Sequence, residues 1–353
     1  MMIAPPLGSA RRIAFTAGGA FAAFYIFYTT APITFAGASL GAGVRVGIVM
    51  AVVVAVQPFV GLLGRWIATR RLQVTSAAIS MGLGSAIMPF AGHWPGMLLL
   101  AVGFGVFVVA STAWIKETAP SGLLGRALGL YGFGSAIGGA FGAPLGLILI
   151  EQAGTPGTAV VGSLVALASI LPVLRLRTAV SSDVSPGEST ASETAPRASR
   201  LWSNSRLIGL GAHLLAVTIY AAALSGLASD QNGRGTWLPV LAAFAIQASL
   251  AIGRMIGGWA VTRWSPLVVG TSALVLLLGA SGIALLDPLP VLTLAAAIGV
   301  GLASGACQTV ALTWLMQRTD TTTGINRASA AWNICFDIGL GLGALAVGAT
   351  LNQ

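Results

Sequence analysis

Apolar runs of about 20 residues follow one another along this sequence, divided by short joints of glycine, proline or charge, and each run is long enough to cross a bilayer as a helix. A water-soluble domain of this kind would have to bury every run with almost no charged surface left to keep it in solution. Only 8% of the residues are charged and 56% are hydrophobic, against about 25% charged in an ordinary soluble domain. The expected class is therefore an all-α polytopic membrane protein.

Windows of about 19 residues place spans near 13–34, 44–63, 73–92, 96–115, 127–150, 157–175, 207–227, 237–258, 266–286, 289–315 and 328–350, eleven in all. The joints carry breakers such as His93-Trp94-Pro95, Pro120 to Gly125, Gly154 to Gly157 and Ser265-Pro266. Positive residues are retained in cytoplasmic loops, which tests the count independently. With the N-terminus inside, fifteen basic residues fall on the cytoplasmic side and only Arg45 and Arg234 outside, with Arg254 left within a span. Eleven spans would then leave the C-terminus outside.

Residues 178–205 are rich in Ser, Thr, Ala and Pro and have no apolar period, so they are expected to form a flexible cytoplasmic linker. This divides the chain into an N-terminal six-helix bundle, 1–177, and a C-terminal five-helix bundle, 206–353. The two parts repeat one another. At a constant offset of 201, Arg126 matches Arg327, Tyr131 matches Trp332, Gly138 matches Gly339 and Gly142 matches Gly343. A second match lays Gln57 on Arg254 and Gly61 on Gly258, while a shifted register, Trp66 on Trp259 and Thr69-Arg70 on Thr262-Arg263, fits about as well.

The net charge of +9 does not suggest nucleic acid, because the basic residues punctuate apolar runs instead of clustering on a face. Cys307 and Cys335 lie inside apolar segments, and His213 has no ligand-spaced neighbours, so neither a disulfide framework nor a metal site nor any other cofactor is expected. No phosphate loop and no nucleophile–base constellation can be assembled, so an enzyme is not expected.

The repeat, the ordered glycine motifs and the topology together resemble the major facilitator superfamily, in particular its bacterial drug- and metabolite-efflux-like members. Gly61 followed by Arg65, Arg70 and Arg71, and Gly258 followed by Arg263, are similar to the family's loop motif after the second and eighth spans, although its aspartate is missing from both copies. Gly138, Gly142 and Pro144 resemble its glycine–proline motif in the fifth span, which implies either close helix packing or a helix able to bend. The resemblance implies a major facilitator fold of two pseudo-repeated helical bundles. It also implies a secondary transporter in the cell (inner) membrane, working by alternating access as a monomer, with export in antiport with protons. Family members as a rule have twelve spans, so the alternative is a truncated, non-transporting relative.

Ionisable groups deep in a bilayer are costly, by about 2.5–3.5 kcal/mol on insertion scales, and face a partner or a wet path. Asp337 and Arg254 are the two so placed. Asp337 shares a stripe with Ser329 and Asn333 at i, i+4, i+8 spacing. It is expected either to couple transport to protons or to make a fixed pair, with Arg254 or with Gln57, that holds one conformation shut. The resemblance makes the first, fourth, seventh and tenth spans the cavity walls, which nominates Tyr25, Tyr28 and Thr29, then Trp114, then His213 and Tyr220, then Ser304, Gln308 and Trp314. Such a wall, apolar with hydroxyls and few fixed charges, suits a moderately hydrophobic or neutral small molecule better than a polyanion.

Overall fold

The computed structural model describes residues 7–34, 42–64, 66–67, 69–90, 93–176, 204–229, 237–286 and 289–351. Arg65 and residues 178–203 of the expected linker lie outside them. Every regular element among the described residues is a helix. Helix α1 is Gly8–Thr34, and α2, Ala42–Val56, runs through a 3₁₀ turn, Gln57–Phe59, into the short α3, Val60–Leu63. Then come α4, Arg70–Ile87, α5, Trp94–Thr118, α6, Leu124–Ala168, and α7, Leu171–Leu174. The second part holds α8, Asn204–Ser229, α9, Trp237–Ala260, α10, Pro266–Leu285, α11, Pro290–Gln317, and α12, Thr322–Leu351. Asn204 and Ser205, read from the sequence as the end of the linker, open α8 instead; both residue types favour helix starts.

Local chemistry sets several boundaries. Thr69 caps α4 by accepting from the Leu72 amide at 3.3 Å, and Ser265 caps α10 by accepting from Val268 at 3.3 Å, with Pro266 at the first helical position where its missing N–H is no loss. The joint expected at Gly154 to Gly157 is a kink. Gly154 takes φ 60°, ψ −168°, a conformation only glycine adopts without strain, and helix resumes at once on the far side.

Among the described residues, nine segments are long and apolar enough to cross a membrane. One of them, Leu124–Leu174, is 51 residues long and contains the kink, whereas α4 is not among the nine. Eleven passes therefore require one crossing on each side of Gly154 and a further one by α4.

The repeat seen in the sequence is also a repeat of packing. In the first part α6 lies along α1: a Cβ on Gly134, Gly138 or Gly142 would overlap the backbone of Ala14, Gly18 or Ala22 in turn. In the second part α12 lies along α8, where Gly339 faces Val217 and Gly343 faces Thr218. With no hydrophobic drive to bring helices together in lipid, such close backbone approach is what dispersion forces need. The halves meet through the other members of each set. Gly125 and Gly129 of α6 pack on Gly258 and Arg254 of α9, while Asn326 of α12 stands over Gly61. Since 326 less 201 is 125, the two crossings are equivalent under the repeat, and they agree with the register that matches Gly61 to Gly258 over the shifted one.

Candidate functional site

Between the halves lies a narrow cleft, its free interior about 30 Å³. Rings form much of its wall: Phe24 stacks on Phe104 at 3.8 Å, Tyr28 stacks on Phe24 at 5.7 Å, and Trp332 stacks on Phe336 at 5.9 Å. Set among them are Tyr25, Tyr131, Ser135, Arg254, Asn333 and Asp337. The tyrosine and tryptophan related by the repeat, Tyr131 and Trp332, thus both line the one cleft.

The two deep charges do not pair with each other. Gln57 donates from Nε2 to Asp337 Oδ2 at 2.7 Å, which selects Gln57 from the two partners the sequence left open. Arg254 donates to Gln308 Oε1 from Nε at 3.1 Å and from NH2 at 2.6 Å, and from NH1 to the Gly132 carbonyl at 2.9 Å and Ser135 Oγ at 2.8 Å. All these acceptors are neutral. Gln57 and Arg254 occupy matching places in the two halves, and each reaches the same level of the opposite half's long helix: Asp337 on α12 corresponds to Ala136 on α6, next to Ser135. Both side chains are buried, and the remaining Gln57 oxygen has no protein partner.

Asn333 lies in the wall, with its amide donating to the Ser329 carbonyl at 2.9 Å. Of the residues nominated from the sequence, Tyr25 and Tyr28 also line the cleft. The others sit behind it or elsewhere. Thr29 ties α1 to α6 by donating to the Ala143 carbonyl at 3.2 Å. Trp114 is buried in a hydrophobic core to which both halves contribute. His213 stacks on the back of Trp332 at 4.7 Å, with Nε2 at 3.1 Å from the Trp332 carbonyl. Tyr220 donates to Gln247, and Ser304 donates to the Ala216 carbonyl at 3.0 Å. Gln308 accepts from Arg254 and donates to Ser304 at 3.0 Å, so it positions a wall residue without being one. Trp314 lines a separate apolar groove with Ile208, Gly209 and Cys307. Helical spacing identifies residues sharing a face but not which neighbour that face meets.

The loop-motif residues are distributed likewise. Arg70 forms a forked pair with Glu117 on α5, at 2.7 and 2.9 Å to Oε1. This is the only ion pair between described residues, and the sequence reading had no role for Glu117. Arg71 donates to the Leu174 and Leu176 carbonyls at 3.3 Å, and Arg263 lies 4.0 Å over the ring of Trp259. Around Gly138, Gly142 and Pro144, α6 keeps helical dihedrals; its break is at Gly154. The sequence signal for the missed wall residues was the repeat itself, which paired Tyr131 with Trp332.

The family model described as Major Facilitator Superfamily matches residues 13–344. No curated protein matches the sequence. Among solved structures, the Escherichia coli fucose:proton symporter FucP superimposes with a TM-score of 0.72 at 15% identity, over 98% of this chain and 92% of that one. FucP in the outward conformation gives 0.68 at 14% identity, over 98% and 92%. The human organic anion transporter MFSD10 (TETRAN) gives 0.68 at 16%, over 98% and 93%.

Proposed function

The chain belongs to the major facilitator superfamily and is a multi-pass membrane protein, and from that premise we propose a secondary active transporter that moves a small, moderately hydrophobic molecule by alternating access. The observation that supports this most is the cleft between the halves, where each half contributes rings and the two deep charges of the second half, Asp337 and Arg254, both meet groups of the first. A solute entering there touches both halves and so can bias how they rock. The same cleft favours a transporter over a non-transporting relative.

Asp337 is the proposed proton-coupling group. It is the one carboxylate in the wall, it sits about 15 Å along α12 from Arg327, and its partner Gln57 comes from the other half. A carboxylate gives that amide an acceptor; a protonated one is a poorer acceptor and frees the halves to separate. Arg254, Asn333 and Gln57 belong to the same gating set. We place the protein in a cell (inner) membrane with eleven passes, a cytoplasmic N-terminus and a 178–205 linker between bundles 1–177 and 206–353, as the distribution of basic residues supports. Export by proton antiport rests on the resemblance to efflux-like members. A fucose:proton symporter and an organic anion transporter share the fold, so fold alone selects neither solute nor direction.

The test is proton flux in sealed vesicles containing the protein, followed with a trapped pH-sensitive dye as a panel of toxic compounds and metabolites is added on either side. At least one compound is expected to drive flux, and Asp337→Asn is expected to abolish it while the protein still inserts. Unchanged flux in Asp337→Asn would sink the coupling role. Loss of folding in that variant would assign Asp337 to structure.

A further inference from the structure

Arg254 presents a charge that the protein itself does not neutralise. Its side chain is 4% exposed and lies in the wall of the cleft, yet its four hydrogen bonds end on an amide oxygen, a hydroxyl and a backbone carbonyl. Among the described residues it forms no ion pair, and Asp337, the one acid in the same wall, is engaged by Gln57. Neutral acceptors satisfy N–H donors and fix the plane of the fork, but they leave the positive charge in a poorly polarisable surrounding. Of the five guanidinium N–H groups, four are used, and one on NH2 remains. The ring of Phe336, 5.8 Å from Cζ, offers only a weak cation–π contact. A charge held this way is expensive for the free protein and favourable for a ligand that supplies the missing anion.

We propose that the transported molecule carries one anionic group, a carboxylate or its equivalent, which seats on Arg254, with an apolar or aromatic body against the rings of Phe24, Tyr28, Phe104 and Trp332. This rests on the transporter reading and narrows it. The preset fork can give a charge-assisted hydrogen bond to a carboxylate oxygen, and the rings cover a flat body by stacking. A polyanion has no second cation to meet in this wall. A cation would meet Arg254 in the same wall and find for its own charge only Asp337, which Gln57 already engages, and a neutral amide gains the hydrogen bond without the charge.

The experiment is isothermal titration of the full chain in lipid nanodiscs with three matched sets: benzoate, phenylacetate and octanoate, their neutral amides, and the corresponding amines as ammonium ions, with empty nanodiscs subtracting lipid partition. At least one carboxylate is expected to bind about tenfold more tightly than its amide, the ratio that about 1.4 kcal/mol of charge-assisted bonding produces. The ammonium ions are expected to bind no better than the amides. Arg254→Gln should erase the preference. Since that variant removes a buried network and can fail to fold, Arg254→Lys is the second: it keeps the charge but not the fork, so carboxylate binding should weaken several-fold with amide binding unchanged. Equal binding of amide and carboxylate, tighter binding of an ammonium ion, no binding by any carboxylate, or an Arg254→Lys variant indistinguishable from wild type each overturns the proposal. Failure of the transporter reading is separate. Carboxylate binding without proton flux in vesicles would sink transport alone, and flux driven by a compound with no anionic group would sink this inference alone.

Discussion

Gln57 shows how much a single side chain does here. It is buried, it donates to Asp337 across the interface between the halves, and its oxygen is left without a protein partner. Gln57→Ala should therefore leave Asp337 without its one side-chain donor, loosening the contact between the second and last long helices. The expected outcome is faster labelling, by a membrane-permeant thiol reagent, of a cysteine introduced at Val108, a wall residue whose carbonyl accepts from the Asn333 amide at 3.5 Å. At the basic end of the molecule, Arg70 and Glu117 show a partnership that residue type alone did not reveal. The loop motif that the sequence resembles includes an aspartate absent here, and the acid that meets Arg70 comes from 47 positions away on α5. A double-mutant cycle of Arg70→Ala and Glu117→Gln on thermal unfolding should give a coupling of about 1–3 kcal/mol, as expected for a forked, partly buried pair. Coupling near zero would mean that the pair is only incidental. A charge can be read from a sequence, but the acid it meets depends on which helices pack together.

At the scale of the element, α6 carries the consequences of its glycines. The row Gly134, Gly138, Gly142 repeats every four residues, which keeps it on one face, and that face lies on α1. The sequence left packing and bending as equal readings of this row. The helical dihedrals across it support packing, and the bend is ten residues beyond Pro144, at Gly154. Gly138→Val should accordingly cost about 1–3 kcal/mol through overpacking, read as a lowered unfolding temperature in detergent, because a Cβ there would overlap the Gly18 carbonyl. Gly8 or Gly279, where an added Cβ meets nothing, should tolerate alanine with no such loss. Spans, caps and breakers were legible because each depends on the chain within a few residues of itself. Which of two long helices bends, and where, depends on the neighbour each rests against.

At the scale of the molecule, the halves are closed together at the end that carries Arg70, Arg126, Arg263 and Arg327. There Gly125 and Gly129 of α6 touch Gly258 of α9, while Asn326 stands over Gly61. If this closure is one of two alternating states, Gly129→Leu should oppose it, since any side chain there meets the Arg254 carbonyl and the Gly258 backbone. Spin labels placed on α4 and α10 near that end should move apart in the variant, and an unchanged distance distribution would mean the contact carries no weight in the closed state. The sequence by itself determined that the chain is a helical membrane protein with a twofold internal repeat, because hydropathy, the retention of positive charge and the offset of 201 are properties of the chain in order. It also marked Asp337 and Arg254 as the two deep charges. Only the tertiary structure decided that Asp337 meets Gln57, that Arg254 is held by neutral groups from both halves, and that Trp332, Tyr131 and Ser135 form the wall while His213, Gln308 and Trp114 stand behind it. Periodicity fixes which residues share a helix face; the rotation of each helix against its neighbours, set by where small residues let backbones approach, fixes what that face sees.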